Sequence, residues 1–181
     1  MRALERFALA VDWINERAGR AAGWLALAMV LITFAVVILR YVFSLGFVWM
    51  QESYVWLHGV VFMLGAGYTL LHDGHVRVDI FYREASIRRK ALVDLFGALL
   101  LLLPFVVMVF WVAWPYAVVS WQRLEGSREA GGLPGLFLLK SVIVAFCILL
   151  GLQGLAMAAR AVLALKGRVH PPGPENGIGE V

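Results

Sequence analysis

Four stretches of this chain carry no Asp, Glu, Lys or Arg: residues 21–39, 53–71, 95–122 and 141–159. Three of them are 19 residues long and the third is 28. A helix rises about 1.5 Å per residue, so roughly 20 residues cross a hydrocarbon core about 30 Å thick. In lipid only a helix satisfies every backbone N–H and C=O within one segment. A buried helix of a water-soluble protein would be shorter and would keep a polar stripe, which these runs lack. The fold predicted is an all-α membrane protein with four transmembrane helices, spanning about 21–43, 49–71, 91–114 and 136–165. Ala26-Leu27-Ala28 has the small-x-small pattern of a leader cleavage site, but no apolar run precedes it. The first span is therefore expected to stay attached.

The 16 Lys and Arg residues divide unevenly between the two sides that four spans define. Twelve lie at 2–20, 77–90 and 160–168, against Arg40, Arg123, Arg128 and Lys140 on the opposite side. The positive-inside rule then places both termini and the 72–90 island in the cytoplasm. The net charge of +4 is thereby explained by topology, and no nucleic-acid partner is implied.

Residues 1–20 read as an amphipathic helix at the membrane interface. Leu4, Phe7, Val11, Ile14 and Ala18 recur at steps of three and four, and most of the charges lie elsewhere. The alternative is a solvated helix packed on a partner. Residues 166–181, rich in Pro and Gly, read as a disordered cytoplasmic tail. Between these ends, 21–165 form one four-helix domain.

Trp49, Tyr54 and Trp56 cluster at the outer start of the second span, as aromatic belts do. Arg40 closes the first span and Glu52 opens the second. They either bridge the short hairpin as an ion pair or reach separately into water. Pro104 should bend the third span, and the stretch after Pro115 should continue out of the membrane. The turn 125–135 supplies breakers before the fourth span.

Chemistry-bearing residues are few. His58 is the only histidine well inside a span, so a haem held between two spans of this chain is not expected. His72, Asp73, His75 and Asp79 are close together, but H-D-x-H matches no established zinc spacing. Cys147 is the single cysteine, which excludes a disulfide within the chain. The spans hold no Lys, Arg or Glu at mid-depth for ion coupling. Gln153, near the middle of the fourth run, reads as an interhelical hydrogen-bonding group. Gly59, Ala66, Gly67, Gly97, Ala98, Gly151, Gly154 and Ala158 offer close-packing faces. With no nucleotide loop, no triad and no nucleophile beside a base, the chain is not expected to be an enzyme.

"ILRYVF" closes the first span, "WMQE" opens the second and "GHVRVDIF" follows it. "GGLPGLFLLKSVI" leads into a fourth span that contains "LLGLQG". In this order the motifs resemble the small permease subunit (DctQ type) of the tripartite ATP-independent periplasmic (TRAP) transporters, from about Gly19 to Leu165. Members of that family often have two adjacent acids where this chain has Gln51-Glu52.

The resemblance implies a location in the bacterial inner membrane and a division of labour. A large permease carries the substrate and sodium sites. A periplasmic binding protein delivers the substrate, usually an organic acid. The small subunit braces the large one and holds no cofactor. The binding protein would meet this chain, if at all, at the outer turn 125–129. Arg40, Trp49, Glu52, His75, Arg77, Asp79, Lys140 and Gln153 are expected to make structural or subunit contacts, and none is assigned to substrate. The competing expectation is a membrane anchor of a redox complex.

Overall fold

A computed structural model of the chain describes residues 2–76, 82 and 85–167. Arg77, Asp79 and residues 168–181 of the expected tail lie outside the described residues. The described residues form helices and turns, with no strand. They are α1 (Arg2–Val42), α2 (Val48–Leu71), α3 (Ile87–Phe96), a π turn (Gly97–Leu102), α4 (Leu103–Gln122) and α5 (Leu136–Leu165). With α3, the π turn and α4 taken as one rod (Ile87–Gln122), four helices are long and apolar enough to cross a membrane.

Residues 2–20 are helical and run into the first span without a break. At 41 residues, α1 is about 60 Å long, twice the thickness of a hydrocarbon core. It carries Glu5 in its first turn and Arg40 in its last, both of favourable sign for the helix dipole. The face it buries is Ala8, Val11, Asn15 and Ala22. That face is turned roughly 50° from the Leu4–Phe7–Val11–Ile14–Ala18 stripe, at 100° per residue. The offset arises because this face of α1 packs on α5 and α2, with Ala8 and Val11 against Ala156 and Asn15 against Gly67.

The hub is α5. Of its most apolar window 44% is buried, against 6–11% for the other three spans. α1, α2 and the α3–α4 rod all pack on it, and the backbone of the rod approaches no other described helix. Small residues make this possible. A Cβ on Gly154 would lie 2.8 Å from the Leu102 side chain, and one on Gly151 would lie 3.2 Å from Val106. Lipid provides no hydrophobic drive for helix association, so such close approach has to supply it through packing.

The third rod departs from α-geometry where proline demands it. Pro104 lacks an N–H, and its ring crowds the carbonyl four residues back, at Leu100. The wide turn Gly97–Leu102 ends just before it, giving that carbonyl room. Beyond Pro115 the helix continues to Gln122.

The start of α1 and the end of α5 lie at the same end of the bundle. There α2 stops at Leu71, while α1, α3 and α5 run on past it. Ala8 packs on Ala156, and Ala91 on Ala161 and Ala164. This terminal end and the opposite, far end each carry a compact group of polar side chains.

Candidate functional site

At the terminal end, three helices meet at Asn15. Its amide Nδ2 donates to Gln153 Oε1 at 2.8 Å and reaches the carbonyls of Val11 at 3.3 Å and Leu149 at 3.4 Å. Gln153 Nε2 donates in turn to Asp12 Oδ1 at 3.1 Å. Asp12 also accepts from Arg160 Nη1, at 2.7 and 2.8 Å to its two oxygens. Asn15 and Gln153 are fully buried, while Asp12 and Arg160 are largely covered. The result is a continuous polar chain between α1 and α5, neutral at its deep end and charged toward the surface.

The remaining oxygen of Asn15, Oδ1, has no N–H or O–H donor among the described residues. It faces Gly67 of α2, where an added Cβ would stand 2.0 Å away. A Cα hydrogen of Gly67 therefore occupies that line, a weak C–H···O contact that brings the third helix into the junction. One turn along α1, a Cβ on Gly19 would run into the Tyr68 ring at 2.2 Å. Glu16 then binds His72 Nε2 at 2.8 Å and Arg20 Nε at 2.9 Å. The ring of His72 also packs on Tyr68, with centroids 4.4 Å apart.

At the far end, Glu52 in the second turn of α2 reaches the loop between α4 and α5. Its carboxylate accepts from the Ser127 hydroxyl and from the Leu133 N–H at 2.6 Å. Gly132 fits between these groups, since a Cβ there would meet Ser127 at 2.5 Å and Glu52 at 2.7 Å. Beside it, Glu125 accepts from Lys140 Nζ at 2.5 Å and from Ser120 Oγ at 2.8 Å. Those two donors, Lys140 first, hold the Glu125 carboxyl below the usual carboxylate range. Lys140 is buried, and its ammonium sits 3.9 Å from the Tyr116 ring centre. Trp121 Nε1 donates to Ser141 at 2.7 Å. The loop is thus tied to α2, α4 and α5 together. Gly135, at φ 133°, makes the turn into α5 that a side chain would strain.

Of the eight residues expected to make structural or subunit contacts, Glu52 and Lys140 fall in the far junction and Gln153 in the terminal one. Arg40 and Glu52 form no ion pair, because the Glu52 carboxylate is committed to Ser127 and Leu133. Arg40 instead lines a shallow hollow with Ser44 and Gln51. Trp49 is half exposed against Phe47, and His75 is exposed. Asp94 accepts from the Tyr82 hydroxyl at 2.8 Å.

Asn15, Asp12 and Arg160 were not singled out from sequence. On an amphipathic helix Asn15 and Asp12 look water-facing, and Arg160 counted only toward topology. An available signal was the matched polarity of 12, 15, 153 and 160 on the two helix ends that topology brings to one side.

Among the described residues no three His, Cys, Asp or Glu side chains gather as a metal site would require. Chemically, both junctions hold helices and a loop in place. A family profile described as "Tripartite ATP-independent periplasmic transporters, DctQ component" matches residues 29–164, about three quarters of the chain. The chain belongs to that family. Searches of curated proteins and of solved structures each gave no match. The protein is thus a small membrane subunit of a TRAP transporter, a transport component that passes through the bilayer several times. In TRAP systems the DctQ component works with a large permease and a periplasmic binding protein.

Proposed function

We propose that this subunit is a static brace. It holds the large permease at fixed depth in the bacterial inner membrane while that partner carries out sodium-driven uptake of an organic acid supplied by the binding protein. The observation that carries the reading is how the buried polar side chains are used. Asn15, Ser120, Lys140 and Gln153 each bond to a neighbouring helix or to Glu125 beside them. None is left to line a route for solute or ion, and such routes need ionisable or polar groups at membrane depth.

In this reading the terminal end, with 12 of the 16 Lys and Arg residues on its side, faces the cytoplasm. The far loop faces the periplasm, where the binding protein docks. Substrate and sodium sites belong to the large permease, and this chain takes no cofactor. Purification in mild detergent tests the central claim, with the large permease expected to come along. Reconstituted alone, the chain should neither bind nor move solute. Sodium-driven uptake by it in liposomes would overturn the brace, and a periplasmic signal from a reporter fused to either end would overturn the orientation.

A further inference from the structure

Resting on that reading, we infer that the large permease docks on the α1–α2 face around His58. It would present a transmembrane helix that carries a hydrogen-bond acceptor to the imidazole. His58 sits near the middle of α2, exposed, in a groove of about 550 Å³ between α1 and α2. Met29, Val30, Thr33, Phe34, Tyr54 and Val55 line the rest of it. Neither His58 nor the Tyr54 hydroxyl makes a hydrogen bond or ion pair among the described residues. The Thr33 hydroxyl donates to Met29 O at 2.8 Å and keeps its lone pairs free.

An ionisable side chain at this depth is costly against hydrocarbon and is normally turned toward protein or a wet cavity. Here it is turned outward, so the protein that covers it has to come from another chain. The opposite flank differs in kind. Outward on the π turn and the first half of α4, Leu100, Leu101, Val107, Met108 and Val112 are exposed and apolar; the Trp111 indole N–H is the hydrogen-bonding group among them, and none of these side chains is ionisable. Acyl chains suit that flank and do not suit the α1–α2 groove. Polar demand therefore distinguishes two faces that apolar area alone would not.

The test is photo-crosslinking within the co-expressed complex, with benzoylphenylalanine placed at Val55 in one version and at Val107 in another. Expected are an adduct to the large permease from position 55 and lipid adducts alone from 107. His58→Leu should weaken recovery of the permease roughly three- to twentyfold, the range for one membrane hydrogen bond, with partial rescue in His58→Gln. The melting temperature of the isolated His58→Leu subunit checks that it folds. A permease adduct from 107 but not 55 overturns the assignment. So does an adduct from 55 to lipid or to a second copy of this chain. If the unsubstituted subunit recovers no permease at all, the brace itself fails and the docking face falls with it.

Discussion

Asn15 and Gln153, 138 positions apart, share a 2.8 Å hydrogen bond in the fully buried contact between α1 and α5. Removing Asn15 leaves Gln153 Oε1 without its donor, and removing Gln153 takes away both that acceptor and the donor to Asp12, so either substitution breaks buried hydrogen bonds. A buried donor or acceptor left without a partner costs about 1–3 kcal/mol. Asn15→Leu should therefore destabilise the subunit by about that amount, and Gln153→Leu likewise. The double variant should cost less than the two singles together, with a coupling of about 0.6–1.7 kcal/mol as for other membrane hydrogen bonds. Equilibrium unfolding of the four proteins in detergent measures it, and strict additivity would show that the bond contributes nothing.

Gly67 is packed so tightly on the same junction that Gly67→Ala should be more damaging than an alanine usually is in a helix. Its Cβ would fall 2.0 Å from Asn15 Oδ1 and 3.3 Å from the carbonyl of Leu149, a main-chain atom that cannot swing aside. Overpacking of this kind costs about 1–3 kcal/mol. Truncating Asn15 to alanine removes the nearer clash, so Gly67→Ala should cost less in that background than in the native chain. Gly23→Ala is the control, because nothing lies within 4 Å of its added Cβ. Thermal melts of the four variants decide the matter. Equal losses at 23 and 67 would refute the close three-helix junction.

The four spans were legible because hydropathy is a local property: a run of 19 uncharged residues declares itself without knowledge of its neighbours. Pro104 marked an irregularity in the third rod for the same reason. Partners were less legible. Glu52 could be assigned to Arg40 from proximity along the hairpin, but its true partners, Ser127 and Leu133, lie 75 and 81 positions away. Asn15 escaped because polarity on an amphipathic helix ordinarily marks the wet face. Only the position of α5 turns that residue inward. Gln153 was legible because an amide within a greasy run has few alternatives to an interhelical bond.

Glu125 confers a pH dependence whose sign is set by its direction of shift. Its carboxyl titrates below the ordinary carboxylate range in the folded chain, chiefly through the hydrogen bond from Lys140. A group of this kind stabilises the fold above its ordinary pKa, about 4.3 for Glu. The contribution is lost as pH falls through the lower, folded value. Native protein should therefore melt above Glu125→Gln at pH 7, and the gap should close as the medium is acidified below about pH 4. Because other carboxylates titrate in both proteins, the difference between the two melting curves is the quantity to follow. A gap that stays constant across that range would mean that the Lys140–Glu125 contact does not form.

Glu52 holds the far loop through the Ser127 hydroxyl and the Leu133 N–H, and this predicts where a protease will find the protein weakest. Hydrogen bonds to a charged group contribute about 1.5–3 kcal/mol each, and a tenfold change in local opening needs only about 1.4 kcal/mol. Glu52→Ala should therefore raise trypsin cleavage after Arg123 and Arg128 by about tenfold or more under native conditions. Ser127→Ala, which leaves the main-chain bond in place, should raise it less. Arg40→Ala should leave it unchanged, since Arg40 touches neither Glu52 nor the loop. Mass spectrometry of the early fragments reads all three. Cleavage that rises with Arg40→Ala and not with Glu52→Ala would restore the hairpin ion pair and remove Glu52 from the loop.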